Sequence, residues 1–277
     1  MAIMMFCGTL CFGKNTNDTL CLSSCGHIHR ITSPFRLTTD PPSCGDLRYS
    51  LSCENNITVL LWHVGYDYKK YYVQAINYNN YTIRLVDPDI QRDDCSSIPQ
   101  KGLSVSEIAV TRDHVSYETE IRRGLKYANH YLELTSFKEV RRLSRNVIFF
   151  NCGRPVMNHS YIGAAPCVFK SNLSLEQYYS YYYVFDDHFK VNEFEESCGV
   201  VQIALIANTG DNNQRIDKAE DVQDALAYGF ELSWLQSFTD TDEKLCYVDG
   251  KDSNTVHCSS SCIFPDDRVV LNQCGKH

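Results

Sequence analysis

The sequence predicts a β-rich fold of mostly antiparallel strands with limited helix, stapled by disulfides and organised as two cysteine-rich modules. Three observations predict it. Fourteen cysteines are spread along 277 residues, several-fold more than an intracellular enzyme of this length uses, which points to an oxidising compartment. Apolar and polar residues alternate within Tyr49 to Asp87 and again at Phe230 to Trp234, the period of a half-buried strand. The Asn-rich tetrapeptide Asn77-Tyr78-Asn79-Asn80 separates two such stretches, and Asn tolerates the positive φ of tight turns. A chain this long buries real cores without needing disulfides merely to fold.

Residues 1–20 open with the apolar run MAIMMFCGTLCFG, about the length of a signal-peptide core but with no basic segment ahead of it, and read as a poor or truncated signal segment. Its removal takes away Cys7 and Cys11 and leaves twelve half-cystines, an even number able to pair completely: Cys21, Cys25, Cys44, Cys53, Cys95, Cys152, Cys167, Cys198, Cys246, Cys258, Cys262 and Cys274. Five Asn-x-Ser/Thr sequons, at Asn17, Asn56, Asn80, Asn158 and Asn172, add the expectation of a secreted glycoprotein. No stretch of the sequence reaches the ~20 apolar residues that span a bilayer.

Residues 21–100 form the first expected module. From Tyr49 to Asp87 the pattern is that of strands: Tyr49, Leu51 and Cys53 alternate with Ser50 and Ser52, and Ile83 and Leu85 alternate with Thr82 and Arg84. Tyr71 to Ile76, the turn Asn77-Tyr78-Asn79-Asn80, and Tyr81 to Val86 read as a hairpin with the Asn80 sequon on its turn. Residues 101–146 read as a basic, helix-prone junction. In it Ile121, Leu125, Leu132, Leu134, Phe137, Val140 and Leu143 are spaced among Arg122, Arg123, Lys126, Lys138, Arg141, Arg142 and Arg145.

Residues 147–277 form the second expected module. It opens on the apolar run Val147 to Cys152 and continues through the tyrosine-rich Tyr178 to Phe185. Ile216, Ala219, Val222, Leu226 and Gly229 follow at helical spacing, and Phe230, Leu232 and Trp234 then alternate with Glu231 and Ser233 as a strand.

Several functions are set aside by what is missing or outweighed. No two of the 14 glycines lie within two residues of each other, so no dinucleotide-binding G-x-G-x-x-G is encoded; G-x-x-x-x-G-K-[ST] does not occur either, and zinc-protease, nucleophile-elbow and kinase signatures are absent. The chain reads as a non-enzyme. The Cys-x3-Cys spacings Cys7/Cys11, Cys21/Cys25 and Cys258/Cys262, with His27, His29 and His257 nearby, are looser than structural zinc pairs, so no metal site is expected and half-cystines are favoured. A formal charge of −8 argues against nucleic acid as a partner. The cluster Tyr178, Tyr179, Tyr181, Tyr182 and Tyr183 offers faces that stack on sugars, but a strand buries alternate members of such a run.

From Cys25 the chain reads CGHIHRITSPFRL, then PPSCGDLRYSLSCENN, YYVQAINYNNYTIRLVD and CSSIP. In this order of cysteines, the Pro34-Phe35 pair and the Asn-rich turn, Cys21 to about Pro99 resembles the galacturonan-binding cysteine-rich module of plant wall-associated receptor kinases, particularly the leaf-rust-resistance-like subgroup. VIFFNC at Val147, CGVVQIA at Cys198 and GFELSW at Gly229 resemble the C-terminal wall-associated module of the same ectodomains. The family departs from this chain at Arg30 and Ser33, where it carries Asn and an aromatic residue, and the Ser-Gly-Gly-containing cysteine cluster is not legible near Cys246 to Cys274.

The resemblance implies an extracellular ectodomain that binds cell-wall polysaccharide, pectin or galacturonan, with a receptor kinase or co-receptor as a further partner. The family's transmembrane helix and Ser/Thr kinase are not in this sequence, which therefore reads as a receptor fragment or a soluble relative, extracellular and at the cell wall. An acidic polysaccharide requires Arg and Lys donors matched to its carboxylates, and the candidates are Arg30, Arg36, Arg48, Lys69, Lys70 and Arg84, with calcium as an alternative bridge between carboxylates. The rival reading is a protein- or peptide-binding ectodomain that has lost sugar binding. Charge reversal of Arg36 and Arg84 is expected to separate the two.

Overall fold

The computed structural model of the protein describes residues 21–64, 67–92, 94, 97–111, 115–116, 118–126, 135–157, 161–163, 180–185, 194–208, 216, 218–239, 244–249, 255–263 and 269–271. Within these the chain is strand-rich and stapled by disulfides, in keeping with the fold class read from the sequence.

The first strands, β1 (Ser23–Cys25) and β2 (Ile28–Ile31), form a small antiparallel hairpin. Gly26 turns it at φ +58°, and a Cβ there would lie 2.1 Å from the Asn56 carbonyl oxygen, so only glycine fits. β3 (Arg36–Leu37), β4 (Ser50–Glu54), β5 (Ile57–Val64), β6 (Asp67–Asn77) and β7 (Thr82–Val86) then build a sheet in which β3 and β4 are parallel and the remaining neighbours antiparallel. β4 and β5 are joined by Asn55 and Asn56 alone, at φ 50° and 64°, the two left-handed residues that match the strands' own twist. At the β6–β7 turn the positive φ falls on Tyr81 at 59°, not on an asparagine as the sequence suggested. Asn77 acts there through its side chain, whose Oδ1 accepts from the backbone N–H groups of Asn79 (2.9 Å) and Asn80 (3.2 Å).

The stretch expected to be helical and basic is mostly strand. α1 (Val105–Thr111) is its only helix among the described residues, started by a reciprocal cap in which the Ser104 N–H donates to Glu107 Oε2 (2.7 Å) and the Glu107 N–H to Ser104 Oγ (3.2 Å). β8 (Glu118–Lys126) and β9 (Thr135–Arg142) follow as an antiparallel pair. The helical character expected of this stretch loses to pairing: β8 lies parallel to a strand from near the C-terminal end of the chain, and β9 closes the sheet as a strand bearing Arg141 and Arg142 at its open edge, where charge discourages further pairing.

β10 (Ser144–Cys152), β11 (Ile162–Gly163), β12 (Ser180–Phe185) and β13 (Cys198–Ala207) make a four-stranded antiparallel sheet in the order β11-β12-β10-β13. Tyr181, Tyr182 and Tyr183 lie on its inner strand β12, paired with Asn151, Phe150 and Phe149, whereas Tyr178 and Tyr179 are outside the described residues. α2 (Ala219–Tyr228) matches the spacing read from the sequence and packs Ala219, Val222 and Leu226 on Val147, Phe149, Ala204 and Ile206. β14 (Phe230–Ser233) follows, and β15 (Lys244–Asp249), β16 (Val256–Ile263) and β17 (Val269–Leu271) join β8 and β9 in a five-stranded sheet.

β14 is where the two halves meet. It pairs with β7, Leu232 opposite Ile83 and Phe230 opposite Leu85, and so forms the sixth strand of the first-half sheet, in the order β14-β7-β6-β5-β4-β3. Gly229 allows this approach: its φ is +94°, and a Cβ there would sit 2.0 Å from the Leu85 carbonyl oxygen. The largest core is continuous across the join, running from Leu51, Tyr71, Val73 and Leu85 to Leu232, Trp234 and Val248.

Candidate functional site

Two disulfides define the N-terminal region. Cys25 pairs with Cys53, fixing the β1–β2 hairpin to β4, and Cys21 pairs with Cys44, fixing the start of the described chain to the turn Pro42–Cys44. Cys152–Cys198 links the ends of β10 and β13, and Cys246–Cys258 links β15 to β16. The cysteines at two of the Cys-x3-Cys spacings thus take partners elsewhere: Cys21 and Cys25 bond Cys44 and Cys53, and Cys258 bonds Cys246. Among the described residues no three His, Cys, Asp or Glu side chains converge on a metal-sized site. Cys95, Cys167 and Cys274 lie outside the described residues, and Cys262 is on β16 opposite Val270. Asn56 and Asn80 are exposed on the two turns, while Asn17, Asn158 and Asn172 also lie outside the described residues.

The six basic candidates do not form one line. Arg36 is buried at 6% exposure; its guanidinium donates to Ser50 Oγ at 3.1 Å and to the Asp40 carbonyl oxygen, and it holds the loop after β3 together. The Asp40 carboxylate helps, accepting from the Leu37 N–H and the Ser23 hydroxyl, each at 2.7 Å. Arg48 is held by Asp46, Nε to Oδ2 at 2.8 Å, with its guanidinium 5.9 Å from the centre of the Tyr49 ring. Lys69 shares the inward register of β6 with Tyr71 and Val73, and burial lowers its pKa against the opposing pull of Glu107 and Asp87. Lys70 faces outward, and its ammonium donates to Glu54 at 2.7 Å. Arg84 donates to the Tyr228 carbonyl oxygen at 2.9 Å and stacks 4.3 Å from the Tyr228 ring, tying β7 to the end of α2. Arg30 is exposed on β2. Charge reversal at Arg36 therefore perturbs the fold itself and does not separate a sugar ligand from a protein one.

What the fold assembles instead is a cleft of about 530 Å³ over the first-half sheet. Its floor is Leu60, Trp62 and Ile83, and its walls are the turn Leu47–Tyr49 and Val115. Leu47 is 67% exposed and Leu61, on the rim, 42%. Thr38 and Ser50 supply hydroxyl groups, and among the described residues Arg48 is the one charged side chain in the lining. Burial raises the Tyr49 hydroxyl pKa well above the ordinary tyrosine range, so it stays protonated. Such a surface is able to hold a ligand with apolar faces and a few hydrogen-bonding groups. Sequence reasoning passed over Leu47, Leu61 and Trp62 because it sought cations. The signal was in the run Val59-Leu60-Leu61-Trp62, which breaks strand alternation and leaves a leucine facing solvent.

Phe35, of the Pro34-Phe35 pair, is 2% exposed and meets Tyr49, Trp234 and Tyr78 edge-on, with ring centres 5.6, 5.7 and 6.4 Å away. Its role is to shape the cleft from behind. No helix among the described residues is long and apolar enough to cross a membrane.

No curated protein and no solved structure matches the chain. One family model does: residues 21–87, the segment that carries β1 to β7, the Cys21–Cys44 and Cys25–Cys53 disulfides and most of the cleft lining, match the wall-associated receptor kinase galacturonan-binding module.

Proposed function

We propose that the chain is a non-catalytic extracellular ectodomain that binds cell-wall galacturonan, the uronic acid polymer of pectin, through residues 21–87. The observation that carries this reading is the match of those residues to a galacturonan-binding family. The family is a binding module and not a catalytic domain, and the disulfides suit an oxidising, extracellular setting. A cleft lined mostly by that segment gives the ligand somewhere to lie.

Calorimetric titration of the purified chain with oligogalacturonides, in calcium and in chelator, tests it. Saturable binding supports the reading, and the calcium arm reports whether cation bridging contributes. Absence of saturable binding to any pectic fragment in either buffer refutes it.

A further inference from the structure

The two sequons of the first-half sheet differ in what encloses them. Asn56-Ile57-Thr58 lies on the β4–β5 turn and Asn80-Tyr81-Thr82 on the β6–β7 turn. Because β5 and β6 are antiparallel, with Val59 opposite Tyr72, both turns close the same end of the sheet. Both asparagines are exposed, and each uses its side-chain oxygen within the protein: Asn56 Oδ1 accepts from the Gly26 N–H at 3.2 Å and Asn80 Oδ1 from the Thr82 hydroxyl at 2.7 Å. Nδ2, the atom to which a glycan is joined, makes no hydrogen bond in either amide among the described residues, so the folded chain can carry a sugar at each without giving up a contact.

Transfer joins Nδ2 to the anomeric carbon of a lipid-pyrophosphate-linked oligosaccharide. The bond from that carbon to the pyrophosphate oxygen breaks, the lipid pyrophosphate leaves, and the amide gives up one proton. A sequon requires a hydroxyl two residues after its asparagine, so Thr58 or Thr82 must be open when transfer occurs. In the folded chain both are closed, Thr58 completely and Thr82 at 5% exposure. Thr58 is closed by residues that precede it: its hydroxyl donates to the Cys25 carbonyl oxygen at 2.9 Å, it stands opposite Cys53, and the Cys25–Cys53 disulfide locks the arrangement. The Asn80 sequon is closed from the second half. Ser233 pairs with Thr82, the Trp234 N–H donates to the Tyr81 carbonyl oxygen at 2.9 Å, and the Phe238 ring lies 5.5 Å from that of Tyr81. Until those residues dock, the Asn80 sequon stays open, whereas a formed Cys25–Cys53 bond already hides the one at Asn56.

We infer that Asn80 is the principal N-glycan attachment site of the first-half sheet and that closure of the Cys25–Cys53 disulfide restricts attachment at Asn56. A glycan on Asn80 covers the end of the sheet that bears the two turns, while Leu61 and Trp62 of the cleft lie toward the other end of β5. The inference rests on the extracellular part of the reading above and not on galacturonan as the ligand.

The test expresses the full chain through a eukaryotic secretory pathway behind a cleavable leader and recovers it from cells and medium together. Amidase release converts each glycosylated Asn to Asp, and mass spectrometry of the sequon peptides then gives the occupancy of each site. Asn80 should be modified on most molecules, and Asn56 on about half as many or fewer. The double variant Cys25→Ala, Cys53→Ala should raise Asn56 occupancy about twofold or more and leave Asn80 unchanged; the readout needs no folded product, so a destabilised variant still reports. An unmodified Asn80 overturns the inference and leaves the galacturonan reading standing, since titration of the chain with oligogalacturonides decides that separately. Asn56 filled as fully as Asn80, or no rise at Asn56 without the disulfide, also overturns it.

Discussion

Replacing Asp87 by Asn alters the pH dependence of unfolding in a direction set by where the carboxyl sits. Asp87 follows β7 and lines a small cavity of about 10 Å³ with Tyr71, Leu103, Leu205 and Phe230. Burial is the largest influence on it and raises its pKa from 3.8 to about 6; the Asp89 N–H, donating at 2.9 Å, pulls it down, the Asp89 charge pushes it up, and the Lys69 charge pulls it down. The folded state thus holds this proton more tightly than the unfolded chain. Asp87 favours folding at pH values below its unfolded pKa, and that contribution is lost as pH rises through the folded value. Between pH ~4 and ~6 unfolding free energy should fall by about 1.4 kcal/mol per pH unit on this account, with an upper limit of about 3 kcal/mol because water reaches part of the carboxyl. Asn keeps an acceptor for the Asp89 N–H and does not titrate. Urea unfolding of parent and Asp87→Asn at pH 4, 5, 6 and 7 measures the difference. The variant should gain on the parent as pH rises and level off above pH ~6. A difference that is constant with pH, or that moves the other way because the Lys69 charge outweighs burial, refutes the reasoning.

Three further outcomes follow from the fold. Gly229→Ala forces a Cβ to 2.0 Å from the Leu85 carbonyl at a positive φ, and should cost at least about 2 kcal/mol in chemical denaturation while raising proteolytic cutting near residue 230. Trp234→Ala empties the space between Phe35, Tyr78, Tyr81 and Phe238 and should cost about 3 to 5 kcal/mol, read by the same denaturation. Removing Cys25 and Cys53 together, each to Ala, opens a link of sequence separation 28 and should cost about 3.5 kcal/mol, with a larger loss of secreted yield than of ligand affinity per folded molecule.

Legibility in the sequence followed the range of the interactions. β4, β7, α2 and β14 were readable because each is specified by its own periodicity: Leu51 and Cys53 alternate along one strand, and Ala219, Val222 and Leu226 line one helix face. β8 and β9 were not, because their apolar residues Ile121, Leu125, Phe137 and Val140 are only loosely spaced and the deciding term is a parallel pairing of Ile121 with Val248, far away in the chain. The family of the N-terminal segment was legible from cysteine order and the Pro34-Phe35 pair, while the six cations were not informative one by one. Nothing in the residue Arg36 announces that its guanidinium will be enclosed by Asp40 and Ser50, or in Arg84 that Tyr228 will lie beneath it. Those partners depend on packing that only the folded chain decides.

The pairing of β7 with β14 also sets an order of events during biosynthesis. Synthesis delivers residues 82–86 long before residues 230–233, so the β7 edge and the ring of Phe35 await partners from the far side of the chain. Contacts of such long range are slow to close, and an open strand edge invites pairing with the wrong chain in the interval. A fragment cut at residue 87 would keep that edge exposed permanently. The matched segment is therefore complete as a pattern of residues but incomplete as a folding unit, and it should reach its native form only once residues 230–233 have left the ribosome.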